Sequence, residues 1–461
     1  MYKRGRGLRA APTCLLLLLL GLSLAPLASE AAGRQTSRSR EGQSTAPQET
    51  PFQEEYPKLR IGGLLDVRFA RTDDTAASLE GGLGKTRYGG ARLDPSRLAA
   101  EKASLFRLSQ ASIVFQAELS SDLGTTAHLN LDAEPDRDRL RARVDLIEAT
   151  VYYRPSLTST VYLDLRGGIF YPPVSLEHKG FAWTPSYSIT PSAINSWIGE
   201  EVRVTGGELG LVYNGLSNSL SVSGAGFGGN DPAGSLLAFR GWALTDRMTG
   251  LSDRLALAPV SSIAPGGVFQ TQAPWVSPFR EIDGRLGYYA AAEWESFNRF
   301  LVSVLRYDNR ADQTAFDGNQ YGWKTDFAHL GVRLQVPGGL ELLGQFLDGR
   351  SNMGFTPAGD IAVDAAFRAV YGLASFRRGR HRFSVRYDRF EIEDQDVLQP
   401  LDNNEEKGSG WTMAYLVRTG EKHRLAFELL GVDSDRPSRS TVGLPRDARE
   451  ILFQASFQLE F

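Results

Sequence analysis

Ionisable residues stand on alternate positions through much of this chain. Arg60, Asp66 and Arg68 come first, then Glu118, Asp132, Glu148, Asp164, Arg166 and Glu208, and later Arg306, Asp308, Arg333, Arg386, Asp388, Arg418, Glu428 and Glu460. Acids and bases mix in this set, and rows of opposed charge around water set a transverse field that orients what passes through it. A second cluster lies between Pro172 and Glu200, with Pro172-Pro173, Glu177, His178, Lys179, Trp183, Pro185, Tyr187, Pro191, Trp197 and Glu200. A connection so rich in rigid and aromatic residues is too costly to be an idle tether. Within it Ser175 precedes His178 by three positions, the nearest approach to a nucleophile and base, and weak as such. The histidines His128, His178, His329, His381 and His423 have no second histidine or cysteine at ligand spacing, so no metal site is expected. No Gly-rich phosphate loop, nucleophile elbow or His-Glu-x-x-His appears. The chain is read as no enzyme, with no cofactor.

The elements that would position these charges show period-2 alternation over roughly 10 residues, the mark of a membrane β-strand. In Ile451–Phe461 the positions Ile451, Phe453, Ala455, Phe457, Leu459 and Phe461 make one apolar face, and Gln454, Ser456, Gln458 and Glu460 stand opposite. Near the start Leu59, Ile61, Leu65, Val67 and Phe69 oppose Arg60, Asp66 and Arg68, so first and last strands are expected to pair. A charge facing lipid is costly, which sends the polar face to a wet interior. The triplets Arg306-Tyr307-Asp308 and Arg386-Tyr387-Asp388 are read alike, with Tyr outward and Arg and Asp inward.

Tight turns are predicted near Asp122–Gly124, Leu157–Ser159, Leu216–Ser219, Phe297–Arg299, Pro337–Gly339, Arg378–Arg380 and Gly420–Lys422. With the two terminal strands they give about sixteen strands, provided that Ala233 to Asp283 is one long loop. The fold class is therefore all-β, a transmembrane antiparallel up-and-down β-barrel, with the short turns in the periplasm. The fifth strand is placed at Thr160–Tyr171 and the sixth at Glu201–Tyr213, so the Pro172-to-Glu200 cluster is the third long loop. Folded inward, it would narrow a pore with Glu177, His178, Lys179, Trp183, Tyr187, Trp197 and Glu200. Wall residues Arg166, Arg306, Arg333, Arg386, Arg418, Asp164 and Asp388 would face them.

Residues 1–32 read as a cleaved signal peptide, with Lys3, Arg4, Arg6 and Arg9 before the Leu15–Leu20 run and small residues after it. The only cysteine, Cys14, lies within the leader, so the exported chain has no disulfide. The leader through Ala31 holds those four bases and Glu30, so its loss takes the formal charge from −3 to −6, which gives no sign of nucleic-acid binding. Residues 33–57 are expected to be a disordered periplasmic linker, and 58–461 the barrel. Beyond the leader no apolar run approaches the ~18 residues of a membrane helix. The 48 glycines, 24 Phe, 16 Tyr and 7 Trp suit many short strands with aromatic belts.

The stretch Arg166-Gly-Gly-Ile-Phe-Tyr-Pro-Pro-Val-Ser-Leu-Glu177 resembles the G-x-F-x-x-P-F-S-L-E pattern of the porin O and P family, with Val174 in place of its second Phe. Arg386–Phe390, Asn403-Asn404-Glu405, Ala414-Tyr415 and the terminal Phe461 also look like that family, over roughly residues 58–461. The resemblance implies a sixteen-stranded barrel, usually a homotrimer, in the outer membrane of a Gram-negative bacterium. It would sit among membrane lipid and lipopolysaccharide, and the assembly machinery would read the strand ending at Phe461. The expected function is a passive porin for small hydrophilic solutes, anions such as phosphate among the candidates. No phosphate-site position of the family matches a residue here. The alternative is a closed or plugged barrel with a structural or surface role.

Overall fold

The computed structural model describes residues 55–92, 98–131, 144–297, 299–398 and 401–461. The leader, Asp132 and most of the linker lie outside them. Sixteen strands close into one barrel. In chain order they are β1 (Lys58–Arg71), β2 (Ser104–Glu118), β3 (Leu123–Leu131), β4 (Val144–Tyr153), β5 (Val161–Phe170), β6 (Val204–Asn214), β7 (Asn218–Gly228) and β8 (Gly287–Ser296). There follow β9 (Phe300–Asp308), β10 (Lys324–Val336), β11 (Leu340–Phe355), β12 (Ile361–Arg378), β13 (His381–Asp394), β14 (Glu406–Arg418), β15 (His423–Asp435) and β16 (Asp447–Glu460). Each pairs antiparallel with its neighbours in sequence, and β1 closes on β16 from Leu64↔Glu460 to Arg71↔Phe453. Closure leaves no unpaired edge, a condition for spanning hydrocarbon with strands. Beyond β16, Phe461 and Gly63 exchange two backbone hydrogen bonds of 3.0 Å, and the absence of a Cβ at Gly63 makes room for the Phe461 ring.

All seven predicted turns join strand pairs as expected, the first of them at residues 119–122, just ahead of its predicted place. The alternation holds as well. Ile61, Phe115, Leu209, Val222, Val332, Val385, Met413 and Phe457 are exposed on the outside, whereas Asp66, Arg68, Gln454, Ser456 and Gln458 are buried within. The outside is an apolar band, whereas the inward face carries polar and charged side chains together with apolar ones that pack on the inserted chain. Strands β3 to β9 run 9–11 residues, about one bilayer crossing, whereas β10 to β16 run 13–18 and must rise beyond it.

The two triplets differ, and one expectation is corrected. Arg386 and Asp388 point inward and Tyr387 is exposed outside, as predicted. In β9 the parity is opposite, with Tyr307 fully buried inside and Arg306 and Asp308 on the outer side. Arg306 pairs there with Asp326 of β10 near the long-loop end, where the wall stands clear of the apolar band. Phe227, Tyr289 and Phe327 gather around Tyr307 inside, and that aromatic packing sets the register of β9.

Two long connections fill much of the barrel. Residues 171–203 carry the helix α1 (Ala193–Glu201), every residue of which is buried. Residues 229–286 carry the short helix α2 (Ser235–Phe239) and a two-stranded piece pairing Leu255–Ala256 with Trp275–Val276. The stretch Ala238–Leu251 adds no barrel strand, so the count of sixteen stands. Trp197 of α1 meets Trp242, Phe327 and Phe367 edge to face at 6.0, 5.3 and 5.2 Å. A barrel this wide holds water unless chain fills it, and here an apolar core sits where a lumen would be.

Candidate functional site: a charged recess beneath the inserted loops

Residues 171–203 cross the interior and bind the wall of β11, β13 and β15. Arg386 is the main anchor. Its guanidinium donates to Asp388 (2.7 Å), Glu177 (3.0 Å), the carbonyls of Thr190 (2.7 Å) and Pro191 (2.9 Å), and the Thr412 hydroxyl (3.1 Å). Asp388 also accepts the Ala193 N–H at the start of α1, where the helix dipole favours an anion. Glu428 accepts from the backbone of Ile189 (2.6 Å) and Thr190 (3.0 Å). Gln345 joins the segment through Asn195 (2.8 Å) and the Val174 carbonyl (2.8 Å). These partners lie far apart in sequence, so no local pattern announced them.

The residues expected at a constriction divide. Glu177 is wholly buried, held by Arg386, Asn195 and the Ser192 N–H. Trp197 and Glu200 are inside the packed core, Trp197 donating to Glu201 and Glu200 pairing with Arg240 and Thr245. They touch protein on all sides. Trp183 lies between His178 (3.5 Å) and Tyr171 (4.2 Å) as a stack, with Ala182 and Trp183 both in left-handed backbone. Tyr187 donates to Glu341 (2.9 Å) under the Arg382 guanidinium. Lys179 is exposed.

Ser175 and His178 do meet, at 2.8 Å. The same hydroxyl accepts the N–H groups of Glu177 and His178, which makes it the cap of a tight turn. Burial pushes the His178 imidazole down to about 3, so it stays neutral.

Residues 229–286 are tied in by charge. Asp246 bridges Arg68 of β1 (2.5 Å) and Arg87 (3.1 Å), and Arg247 pairs with Asp253 (2.9 Å). Lys85 pairs with Glu406, whose carboxylate also lies 3.6 Å from Arg436. Its own burial, with Arg439 and Arg436 near, lowers the Lys85 ammonium to about 7.

Towards the short-turn end, between β5 and β9, the interior opens into a recess of about 210 Å³. Arg154 pairs with Asp164 (2.9 Å), and Arg166 with Glu208 (3.0 Å), which also accepts from Tyr289. Ser221, Ser223, Glu293 and Ser303 line the other side, and Pro173 of the inserted segment roofs it. Of the expected wall residues, Arg166 and Asp164 stand here. Arg333 is on the same inner face, bound to Glu295 (2.6 Å). Arg418 is exposed at the short-turn end of β14, Arg386 and Asp388 are anchors for the inserted segment, and Arg306 is outside. Glu293 and its serines were missed. Their signal was present as Ser219-Leu-Ser-Val-Ser223, polar at every second position, but without charge.

Comparison with solved structures gives the class. The outer membrane channel DcaP of Acinetobacter baumannii superposes with a TM-score of 0.53 at 10% identity, covering 88% of this chain and 97% of that one. An anion-selective porin from Comamonas acidovorans gives 0.50 at 10% identity, over 88% and 100%. The likeness shows the fold, that of a closed sixteen-stranded outer-membrane β-barrel. No family model matches the chain, and no curated protein matches it.

Proposed function

We propose that this protein is a passive porin of the Gram-negative outer membrane for small hydrophilic solutes, its long loops outside and its short turns in the periplasm. The observation that carries this reading is a polar, charge-lined recess inside a closed barrel whose outer surface is apolar. Ion pairs on the inner wall orient a solute, and the segment 171–203 fixes how wide the passage is. Glu177, Tyr187, Trp197 and Glu200 act by holding that segment in place, and Lys179, Arg166 and Asp164 stand closest to the water path. Nothing is done to the solute chemically.

Anions such as phosphate remain solutes to test. The recess pairs each arginine with its own carboxylate, which leaves no uncompensated cation in its lining. Assembly as a homotrimer, contact with lipopolysaccharide, and delivery by the barrel assembly machinery through the Phe461 strand belong to the same proposal.

A second reading has its own support. The aromatic core built by α1 and residues 233–249 occupies the interior, as a plugged barrel with a structural or surface role would have it. Single-channel recording in a planar bilayer separates the two. Stepwise ohmic openings support the porin, and the reversal potential in a salt gradient gives its preference. A silent bilayer from folded, heat-modifiable protein supports the plug.

A further inference from the structure

Among the described residues, the recess between β5 and β9 contains one carboxylate with no direct ion-pair or hydrogen-bond partner. Glu293 points inward from β8, and its register places it directly beside Ser221 of β7 and Ser303 of β9. Among the described residues its carboxylate makes no hydrogen bond and no ion pair, whereas the other acids of the recess, Asp164 and Glu208, are each held by an arginine. Ser303 Oγ is buried with no partner at all, so an acceptor and a donor beside the carboxylate are both unused. A buried polar atom without a partner is unfavourable, and here one lies next in register to an unpaired carboxylate.

Gly210 lets the Asp164 and Ser223 side chains approach each other across the wall, and the space beside Gly331 is taken by the Ser303 hydroxyl, so a larger side chain at either position would crowd the lining. The lining holds two arginines and three carboxylates, which leaves one negative charge in excess. Two further cations act on Glu293 from nearby. Arg333 is committed to Glu295, and Lys179 reaches in from the inserted segment without pairing with it.

We infer that Glu293, with Ser221 and Ser303, forms a binding subsite for a small solute bearing a primary ammonium group. An ammonium has three N–H donors and no acceptor, which matches a carboxylate flanked by two hydroxyl oxygens. The open space suits a molecule of a few heavy atoms. Lys179 stands where it repels a second cation and meets an acidic end if the solute carries one. This deepens the porin reading and rests on it for its role in transport, but the binding itself does not require conduction.

The test uses the full mature chain in detergent and ethanolammonium chloride as the probe, with tetramethylammonium at equal ionic strength as the control that has no N–H. Ethanolammonium should raise the thermal unfolding midpoint in a saturable way, and tetramethylammonium should not. Glu293→Gln should weaken the saturable effect at least tenfold, and Ser303→Ala, which leaves the charge, should weaken it less. If Glu293→Gln fails to fold by heat-modifiability, Glu293→Asp takes its place and should shift the affinity by several-fold. Equal responses to both cations, or an unchanged affinity in the folded variants, would overturn the subsite. In the bilayer, a channel that opens while the detergent assay shows no saturable binding of ethanolammonium overturns the subsite and leaves the porin standing. A silent bilayer with saturable binding in detergent keeps the subsite and removes the porin.

Discussion

Arg386 shows what a buried charge does in this barrel. It was expected on a wet wall, where it would tune selectivity. Instead it is fully enclosed, and six acceptors surround it, the Ser188 hydroxyl among them. Taking one member from such a set leaves Glu177 and Asp388 as uncompensated buried anions. Arg386→Met is therefore expected to destabilise the fold by about 3–5 kcal/mol, seen as a lower urea midpoint for loss of heat-modifiability. If the midpoint is unchanged, the anchor is unimportant. Asp231, in the connection 229–286, supplies a pH effect. Burial, followed by the nearby charges of Glu281 and Asp283, raises its carboxyl to about 7 from the ordinary 3.8. A carboxyl raised on folding stabilises most when protonated, so its contribution is complete below pH ~4 and is lost as pH climbs through about 7. Amide exchange around Asp231 and Ile282 should be slower at pH 5 than at pH 8.5, and Asp231→Asn should remove the difference. Sequence could reveal the charge of these residues but not their role, because every partner of Arg386 except Asp388 comes from another strand or from the inserted segment.

At the scale of strands and loops the sequence was far more informative. Turn residues and period-2 alternation follow from local sterics and from the two solvents on the two faces of the wall, so count, order and closure were readable. Boundaries slipped slightly. The fifth strand is Val161–Phe170 where Thr160–Tyr171 was expected, and the sixth begins at Val204, three residues late, because α1 runs through Glu201. The error at Arg306-Tyr307-Asp308 has a clear physical source. Alternation gives two faces but not which is inward, and an interior packed with aromatic rings accepts Tyr307 as readily as lipid does. Gly168 is a further local feature. It has φ +132° within β5, and a Cβ there would strike the Ala149 carbonyl of β4. Gly168→Ala should cost about 1–3 kcal/mol through that strain, measured again by the heat-modifiability midpoint, while Gly167→Ala, whose Cβ meets nothing closer than 3.9 Å, should be nearly neutral.

For the whole molecule the decisive quantity is how much of the interior the inserted chain occupies. The tall wall, β10 to β16, is covered on its inner side by segment 171–203 and by residues 233–249, and the low wall, β5 to β9, keeps the recess. The two insertions are fastened differently. The first is bonded to the wall by Arg386, Glu428 and Gln345 near mid-height. The second is bonded both to α1, through Arg240 and Thr245 to Glu200 and Ser235 to Glu201, and to the wall, through Asp246 to Arg68, the Trp242 N–H to Glu406 and Arg436 to the Ala238 carbonyl. The second lies between β7 and β8, so it can be shortened without changing the sequence of any barrel strand. Replacing residues 250–276 by a short Gly-Ser linker keeps α2, Trp242 and Asp246 and removes only the outermost part. Replacing 235–276 takes out the plug itself. If the connection obstructs passage, the first deletion should leave single-channel conductance within about twofold of the full chain and the second should raise it several-fold, because conductance follows the narrowest section of the path. Equal conductance from both deletions would place the narrowest section at segment 171–203 and Lys179. The porin would then be open as it stands, with α2 and Trp242 serving as the floor on which α1 rests.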